Sequence, residues 1–348
     1  MINNTTCLTL ADWAKRSSDG KIADIVNLLS QTNEILDDML WKEGNLPTGN
    51  KTTVRTGLPA STWRMLYNGV PRSKSTTAQV TDTCGMLEAY SLVDKDLAEL
   101  EGNQASFRLS EDMSFLESMN QQMAKALFYG NEQDMPAAFT GLAPRYNTLD
   151  TSVAASAANV LDAGGKGSTN TSIWLACWGP TTGFGIFPKG KSAGLQQRDV
   201  TTDAPVYDDD GNPFQAYQTH FKWDCGVTVR DWRYFARIAN IDVDSLTGDN
   251  AANLISLMTA ACFKPPTMPR SAANVQSATA TNGVVPLSFG RPAFYVNRTI
   301  ATALSLQAQN KTNVLLRLEE WDGMPVTTFR GIPIRTCDAI MNTEAAIS

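Results

Sequence analysis

The feature that most restricts this chain is one long amphipathic helix. Ser110 reads as its N-cap, Glu111 and Asp112 occupy the first turn where the helix dipole favours acids, and Gly130 is a natural stop. Between them Leu116, Met119, Met123 and Leu127 form a single apolar stripe. About nineteen residues at 1.5 Å each predict a rod of roughly 28 Å, so any fold must offer a layer long enough to cover it. Such a rod suits a structural spine, and its methionines read as packing rather than as a cofactor contact.

The rest of the chain alternates β-type and helical sequence. A narrow apolar face from Ile22 to Leu40 predicts an early helix, and Asn45 to Thr81 dissolves into Gly, Pro, Thr and Ser with short β-prone pieces. Residues 150 to 170 read as a connection. Strands are expected over Ile173–Trp178 and Gly185–Phe187, and on both sides of Asp208-Asp209-Asp210-Gly211-Asn212, the second running from Phe214 through Trp223 toward Trp232. A helix from Ala251 to Phe263 is halted by Pro265-Pro266, and a strand Ala293–Val296 leads into a helix capped by Asn297 and ending near Gln309. Strands Val314–Glu320 and Val326–Arg330, joined through Asp322-Gly323, and a last strand from Gly331-Ile332-Pro333-Ile334 complete an α+β pattern.

With 348 residues, 43% of them apolar, the chain can build a large core. The 29 basic and 35 acidic residues give a net charge of −6, which is neither the basic excess of a nucleic-acid binder nor the charge density of a disordered chain. A single histidine, His220, leaves little room for Ser-His-Asp triads, Cys-His pairs or histidine metal sites. The six cysteines (Cys7, Cys84, Cys177, Cys225, Cys262, Cys337) are scattered without a C-x-x-C pair, which reads as reduced thiols in a cytosolic product. The N-terminus lacks the marks of an export signal, and no uninterrupted apolar run approaches the eighteen residues of a membrane span.

One catalytic pattern matches letter for letter. Gly185-Ile186-Phe187-Pro188-Lys189-Gly190-Lys191-Ser192 satisfies G-x-x-x-x-G-K-[ST], which cradles phosphates only where a helix follows at once. Here Ala193-Gly194 and the run to Pro205 make a poor helix, so a lysine-bearing turn between strands is the better reading. Asp208-Asp209-Asp210-Gly211 lacks the alternate acids and late glutamate of a calcium loop and reads as a hairpin tip. His220 reads as structural, Gly164–Ser168 as a flexible link, and Trp174, Trp178, Trp223 and Trp232 as core rather than a platform for bases. Neither a cofactor nor a metal site emerges, and an assembly protein is favoured over an enzyme.

Charge patterning suggests where assembly would occur. Asn45 to Thr81 carries Lys51, Arg55, Arg64, Arg72 and Lys74 without an acid, whereas Asp82 to Glu101 carries Asp82, Glu88, Asp94, Asp96, Glu99 and Glu101 against Lys95 alone. A two-stranded excursion with oppositely charged halves would fix register on a neighbouring subunit, with Lys51, Arg55, Arg64, Arg72, Lys74, Asp82 and Glu88 as its inter-subunit contacts. An ordinary solvated hairpin is the alternative.

Several segments resemble, in order and spacing, the major capsid proteins of tailed bacteriophages with the Hong Kong 97 fold, especially the podophage-type members. They are Val54-Arg55-Thr56-Gly57-Leu58-Pro59 through Trp63-Arg64, Leu127-Phe128-Tyr129-Gly130-Asn131, Phe139-Thr140-Gly141-Leu142, Ile186-Phe187-Pro188-Lys189-Gly190, Gly226-Val227-Thr228-Val229-Arg230-Asp231-Trp232-Arg233 and Gly331-Ile332-Pro333-Ile334-Arg335. The resemblance implies an N-terminal arm (1–45), an extended E-loop (46–86), a peripheral domain with the spine helix and a long hairpin at 198–235 (87–240), and an axial domain (241–348). Because the helical α/β block comes last, a permuted-like order of the same parts is expected.

The function so implied is a shell subunit that assembles as hexamers and pentamers into an icosahedral container for double-stranded DNA, without sequence-specific binding and without a membrane. A separate scaffolding protein, a portal and a decoration or cement protein are the expected partners, and the presence of Met1 implies that no scaffolding segment is cut from this polypeptide. Assembly in the bacterial host cytoplasm and residence in the virion follow. Some members crosslink a lysine to an asparagine with a buried glutamate as catalyst. Lys51 and Lys74 lie in the right region, but neither partner can be matched, so non-covalent sealing is expected. An encapsulin-like compartment and a P-loop nucleotide enzyme are the alternatives.

Overall fold

The computed structural model describes residues 17–18, 21–22, 31–100, 104–202, 204–207, 211–246, 252–266, 290–309, 316–321 and 324–348. Two sheets and one long helix organise them. The larger sheet has seven strands in the order Leu316–Trp321, Met324–Phe329, Ile332–Thr336, Arg291–Val296, Asn170–Trp178, Phe235–Asp242 and Val160–Asp162. Asn170–Trp178 is antiparallel to both its neighbours, whereas Arg291–Val296 runs parallel to Ile332–Thr336.

Alternation along Asn170–Trp178 explains why every residue of this strand is buried. Successive side chains point to opposite faces of a sheet, and here both faces are covered. Ile173 and Leu175 pack with Leu254, Met258, Ile300 and Leu304 from helices Leu254–Cys262 and Arg298–Gln309. Trp174, Ala176 and Trp178 face the other way, toward Met123, Leu127 and Phe128 of the spine helix. Full burial of such side chains contributes about 1.5–3 kcal/mol each, so the tryptophans belong to the core. Trp178 Nε1 donates to Tyr295 Oη at 2.9 Å, and that hydroxyl donates to Asp38 Oδ2 at 2.9 Å.

The spine helix spans Gln104–Tyr129, about two turns longer at its start than the sequence predicts. Ser110 is therefore interior rather than an N-cap, and its hydroxyl has no first turn to cap. Glu111 and Asp112 are both buried, and Asp112 Oδ2 accepts from Thr219 Oγ1 of the second sheet at 3.3 Å. The early helix is also shorter than expected: Lys21–Ile22 pairs with Ser17–Ser18, and only Ile35–Asp38 is helical among the described residues of that stretch. The Asp322-Gly323 turn and Asp208–Asp210 lie outside the described residues.

The smaller sheet is built around Ala216–Val229, a 14-residue strand that pairs with Gly85–Asp94 and Gln196–Asp199 along its first part and with Gly183–Phe187 along its last. Trp41–Glu43 adds a parallel edge to Gly183–Phe187. Chain order therefore weaves the layers: residues 170–178 lie in the large sheet, 183–229 in the small one, and 235–242 in the large one again. Strands on both sides of residue 240 thus share one sheet. The C-terminal helices follow the 196–229 hairpin in sequence.

A candidate assembly surface

Gly49–Gly57 and Thr76–Thr83 form an antiparallel ribbon that pairs with no other strand among the described residues. Thr- and Val-rich sequence favours strands, and Pro59, Gly69 and Pro71 between them prevent the ladder from continuing. Burial follows the distance from the root. Asn50, Thr52 and Asp82 are buried, whereas residues 58 to 74 are all exposed.

The root is fastened by ionic and polar contacts. Arg145 Nη2 reaches Asp82 Oδ1 at 2.8 Å, Thr228 Oγ1 donates to Asp82 Oδ2, and Asn50 Nδ2 donates to Thr52 Oγ1 at 3.0 Å. At the tip, Arg64 Nε donates to Asn68 O at 2.9 Å and Ser73 Oγ to Ala60 O at 2.8 Å. These bonds hold a turn in which Tyr67 has a φ of 69°, a left-handed conformation that a bulky residue rarely adopts. The turn displays Trp63 (100% exposed), Met65, Leu66 and Tyr67 (99% exposed) to solvent. Four large apolar side chains within five residues are unusual on a ribbon with no core of its own.

Lys51, Arg55, Arg64, Arg72 and Lys74 are all exposed along this ribbon. Asp82 is not displayed, since its side chain is 3% exposed and satisfied inside the protomer by Arg145. Glu88 lies in the smaller sheet, where it bonds His220 Nε2 at 3.1 Å and pairs with Lys222. The hydrogen bond from Lys222 holds the Glu88 carboxyl below its ordinary range. The oppositely charged segments are therefore not two halves of one hairpin. Apart from Asp82 and Thr83 at the root, both ribbon strands come from the basic window, and the rest of the acidic window instead pairs, through Gly85–Asp94, with Ala216–Val229. Strand pairing follows the long apolar-bearing strand rather than net charge. Charge reasoning missed the apolar tip, although Trp63-Arg64-Met65-Leu66-Tyr67 inside a Gly- and Pro-rich window was the available signal.

The phosphate-loop match resolves into a turn. After Gly183–Phe187 the chain runs to the strand Gln196–Asp199 without a helix, so no dipole faces the loop. Lys191 Nζ pairs with the buried Asp224 at 2.8 Å, and Gly190 N donates to Glu43 Oε1 at 2.7 Å. Carboxylates thus occupy the positions that phosphate would need. His220 stacks on Tyr90 with ring centroids 4.4 Å apart, a structural role. No helix among the described residues is long and apolar enough to cross a membrane, and no cluster of three or more metal-ligating side chains occurs among them.

A spine helix packed on a two-sided sheet, with a long ribbon projecting from a second sheet, is the Hong Kong 97 class of shell-protein fold. The chain belongs to the family described as major capsid protein GP7, whose signature matches residues 17–348. It is similar to a chain in the near-atomic structure of bacteriophage Epsilon15, with 40% identity, coverage of 99% of this chain and 98% of that one, and a TM-score of 0.73. More distant likenesses include the capsid of a native GTA particle (10% identity, 66% of this chain and 97% of that one, TM-score 0.46) and the holo-SrpI encapsulin complex of Synechococcus elongatus PCC 7942 (10%, 68% and 97%, 0.43). No curated protein matches the chain.

Proposed function

We propose that this capsid protein assembles as hexamers and pentamers into an icosahedral shell around double-stranded DNA, using the projecting ribbon to engage a neighbouring copy. The observation that carries the reading is the ribbon itself. A two-stranded hairpin is marginal in water on its own, and this one exposes a cluster of large apolar side chains that only another surface can cover. Lys51, Arg55, Arg64, Arg72 and Lys74 line the same ribbon and would set register on the partner, while Asp82 anchors the root and Glu88 braces the sheet behind it.

The spine helix and the smaller sheet form the peripheral part in this reading. The seven-stranded sheet, with Leu254–Cys262 and Arg298–Gln309, forms the axial part, so the axial part takes in strands 160–162, 170–178 and 235–242 as well as residues beyond 241. Residues 1–45 act as the N-terminal arm and 46–86 as the E-loop. The protein has no enzymatic role, and a separate scaffolding protein, a portal and a decoration protein complete assembly in the host cytoplasm. The net charge of −6 suits a container, because a basic wall would hold DNA through its phosphates and impede release.

Electron microscopy of the purified chain, expressed with and without its neighbouring genes, tests the proposal. Closed shells or hexameric sheets are expected. A monodisperse monomer or dimer under every condition would refute it.

A further inference from the structure

At the root of the ribbon lies a groove of about 590 Å³ between the end of the spine helix, the start of strand Gly85–Asp94 and the loop 131–139. Met123, Ala126 and Cys225 line it, and Met86 and Met135, both exposed, stand at its mouth. Glycine makes the groove possible: a Cβ at Gly130 would come within 2.5 Å of Phe139 O, so the loop could not close over the helix end with any other residue there. Lys125 and Asp134 also border it, and the adjacent Glu132 accepts from Thr83 Oγ1 at 3.0 Å.

We infer that this groove receives the Trp63–Tyr67 tip of a second copy of the chain. The inference rests on the capsid reading and specifies which surface the ribbon engages. Three observations carry it. Among the described residues the chain displays an apolar knob at the ribbon tip and an apolar groove at the ribbon root. Charge is complementary: the tip region carries Arg64, Arg72 and Lys74 with no acid, while the loop beside the groove carries exposed Glu132 and Asp134, with Lys125 of the spine helix as the basic residue on the groove's border. A ribbon of this length cannot serve its own groove, because eight or nine residues at ~3.3 Å each place the tip roughly 30 Å from the root where the groove opens.

A knob and a groove at different places on one chain make a heterologous contact, which closes into rings when the rotation allows. Every copy both gives a tip and receives one. The methionine lining suits a shell containing two ring sizes, since unbranched thioether side chains repack around a partner arriving at slightly different angles.

The test uses the full-length chain assembled into shells. Tyr67→Cys and Met135→Cys are introduced together, shells are oxidised, and a non-reducing denaturing gel is run, with each single variant as control. A reducible ladder up to the hexamer in the double variant, absent from both controls, is the expected result. Intact shells of the double variant that run as monomer would overturn the inference while leaving the capsid reading standing, whereas failure of the unsubstituted chain to form shells would remove both. If the cysteine pair prevents assembly, a charge exchange decides. Arg64→Glu should lower shell yield by about tenfold and Asp134→Arg in the same chain should restore it; a loss that Asp134→Arg does not restore, or no loss at all, would overturn the inference.

Discussion

Arg237 Nη2 lies 2.8 Å from Glu344 Oε2, and both side chains are only 5% exposed. Ser172 Oγ donates to the same carboxylate oxygen, Arg237 Nε donates to Ser172 Oγ at 3.0 Å, and Arg237 Nη1 donates to Tyr146 O at 2.9 Å. The other oxygen of Glu344 accepts from Tyr129 Oη, at the last turn of the spine helix. The guanidinium faces the Trp174 ring 5.0 Å from its centroid. One residue near the C-terminus therefore ties the spine helix to two strands of the large sheet, with the buried charges satisfied on every side.

Removing one member of such a pair leaves a buried charge without a partner. Glu344→Ala is expected to destabilise the folded chain by about 3–5 kcal/mol, and Glu344→Gln by less because it keeps the hydrogen-bonding shape. Chemical denaturation of the purified full-length variants measures both. Equal losses would show that the charge of Glu344, not its hydrogen-bonding shape, holds the clasp.

Asp82 and Arg145 fasten the ribbon root in a similar way, at 2.8 Å. Asp82→Ala should loosen the ribbon without melting the core. Hydrogen exchange is expected to rise across Gly49–Gly57 and Thr76–Thr83 while Asn170–Trp178 stays protected. Unchanged protection of the ribbon would refute the anchoring role.

The Asp199 carboxyl is held down to about 2, first by its hydrogen bonds from Thr201 and then by Arg108, whose Nη2 lies 2.9 Å away. A carboxylate whose folded value lies below its unfolded value of 3.8 stabilises the fold above that value. The contribution is lost as pH falls from about 4 toward about 2. The stability difference between the unsubstituted chain and Asp199→Asn should be constant near neutrality and vanish across that window. A difference that persists at pH 2 would contradict it.

Burial pushes the Cys84 thiol up to about 11 and those of Cys177 and Cys337 up to about 12. The thiolate is the reactive form, so these groups should react slowly with a disulfide reagent at pH 8. In a Cys7→Ala background, which leaves only described cysteines, labelling of the folded chain is expected to be slow and to become complete on unfolding. Because the unfolded thiols ionise near 9, stability should also fall as pH rises past that value. A fast-reacting thiol in the native chain would show that its surroundings are more open than described.

The parts of the fold that local sequence fixes were legible. The Leu116 to Leu127 stripe, the Asn297 cap, which accepts from Ile300 N at 2.8 Å, and the strands at residues 170–178 and 291–296 all follow from periodicity and cap chemistry. The helix start was not legible, because Glu111 and Asp112, which read as first-turn acids, are buried instead, Asp112 against Thr219 of Ala216–Val229, more than a hundred residues away in sequence. The weave of the chain between two sheets was hidden for the same reason. Strand runs announce themselves locally, but their partners are chosen by tertiary packing. At the assembly surface the basic residues were visible from composition, whereas the inward turn of Asp82 depends on Arg145, sixty-three residues downstream.

The full exposure of Trp63 makes the ribbon tip an optical reporter. Trp174 and Trp178 are enclosed in the core, so a blue shift in tryptophan emission on mixing subunits that Trp63→Phe abolishes would come from the ribbon rather than from the other seven tryptophans of the chain. Its time course would then follow the capture of tips one contact at a time, without any added label, and would separate ring closure from the slower completion of a shell.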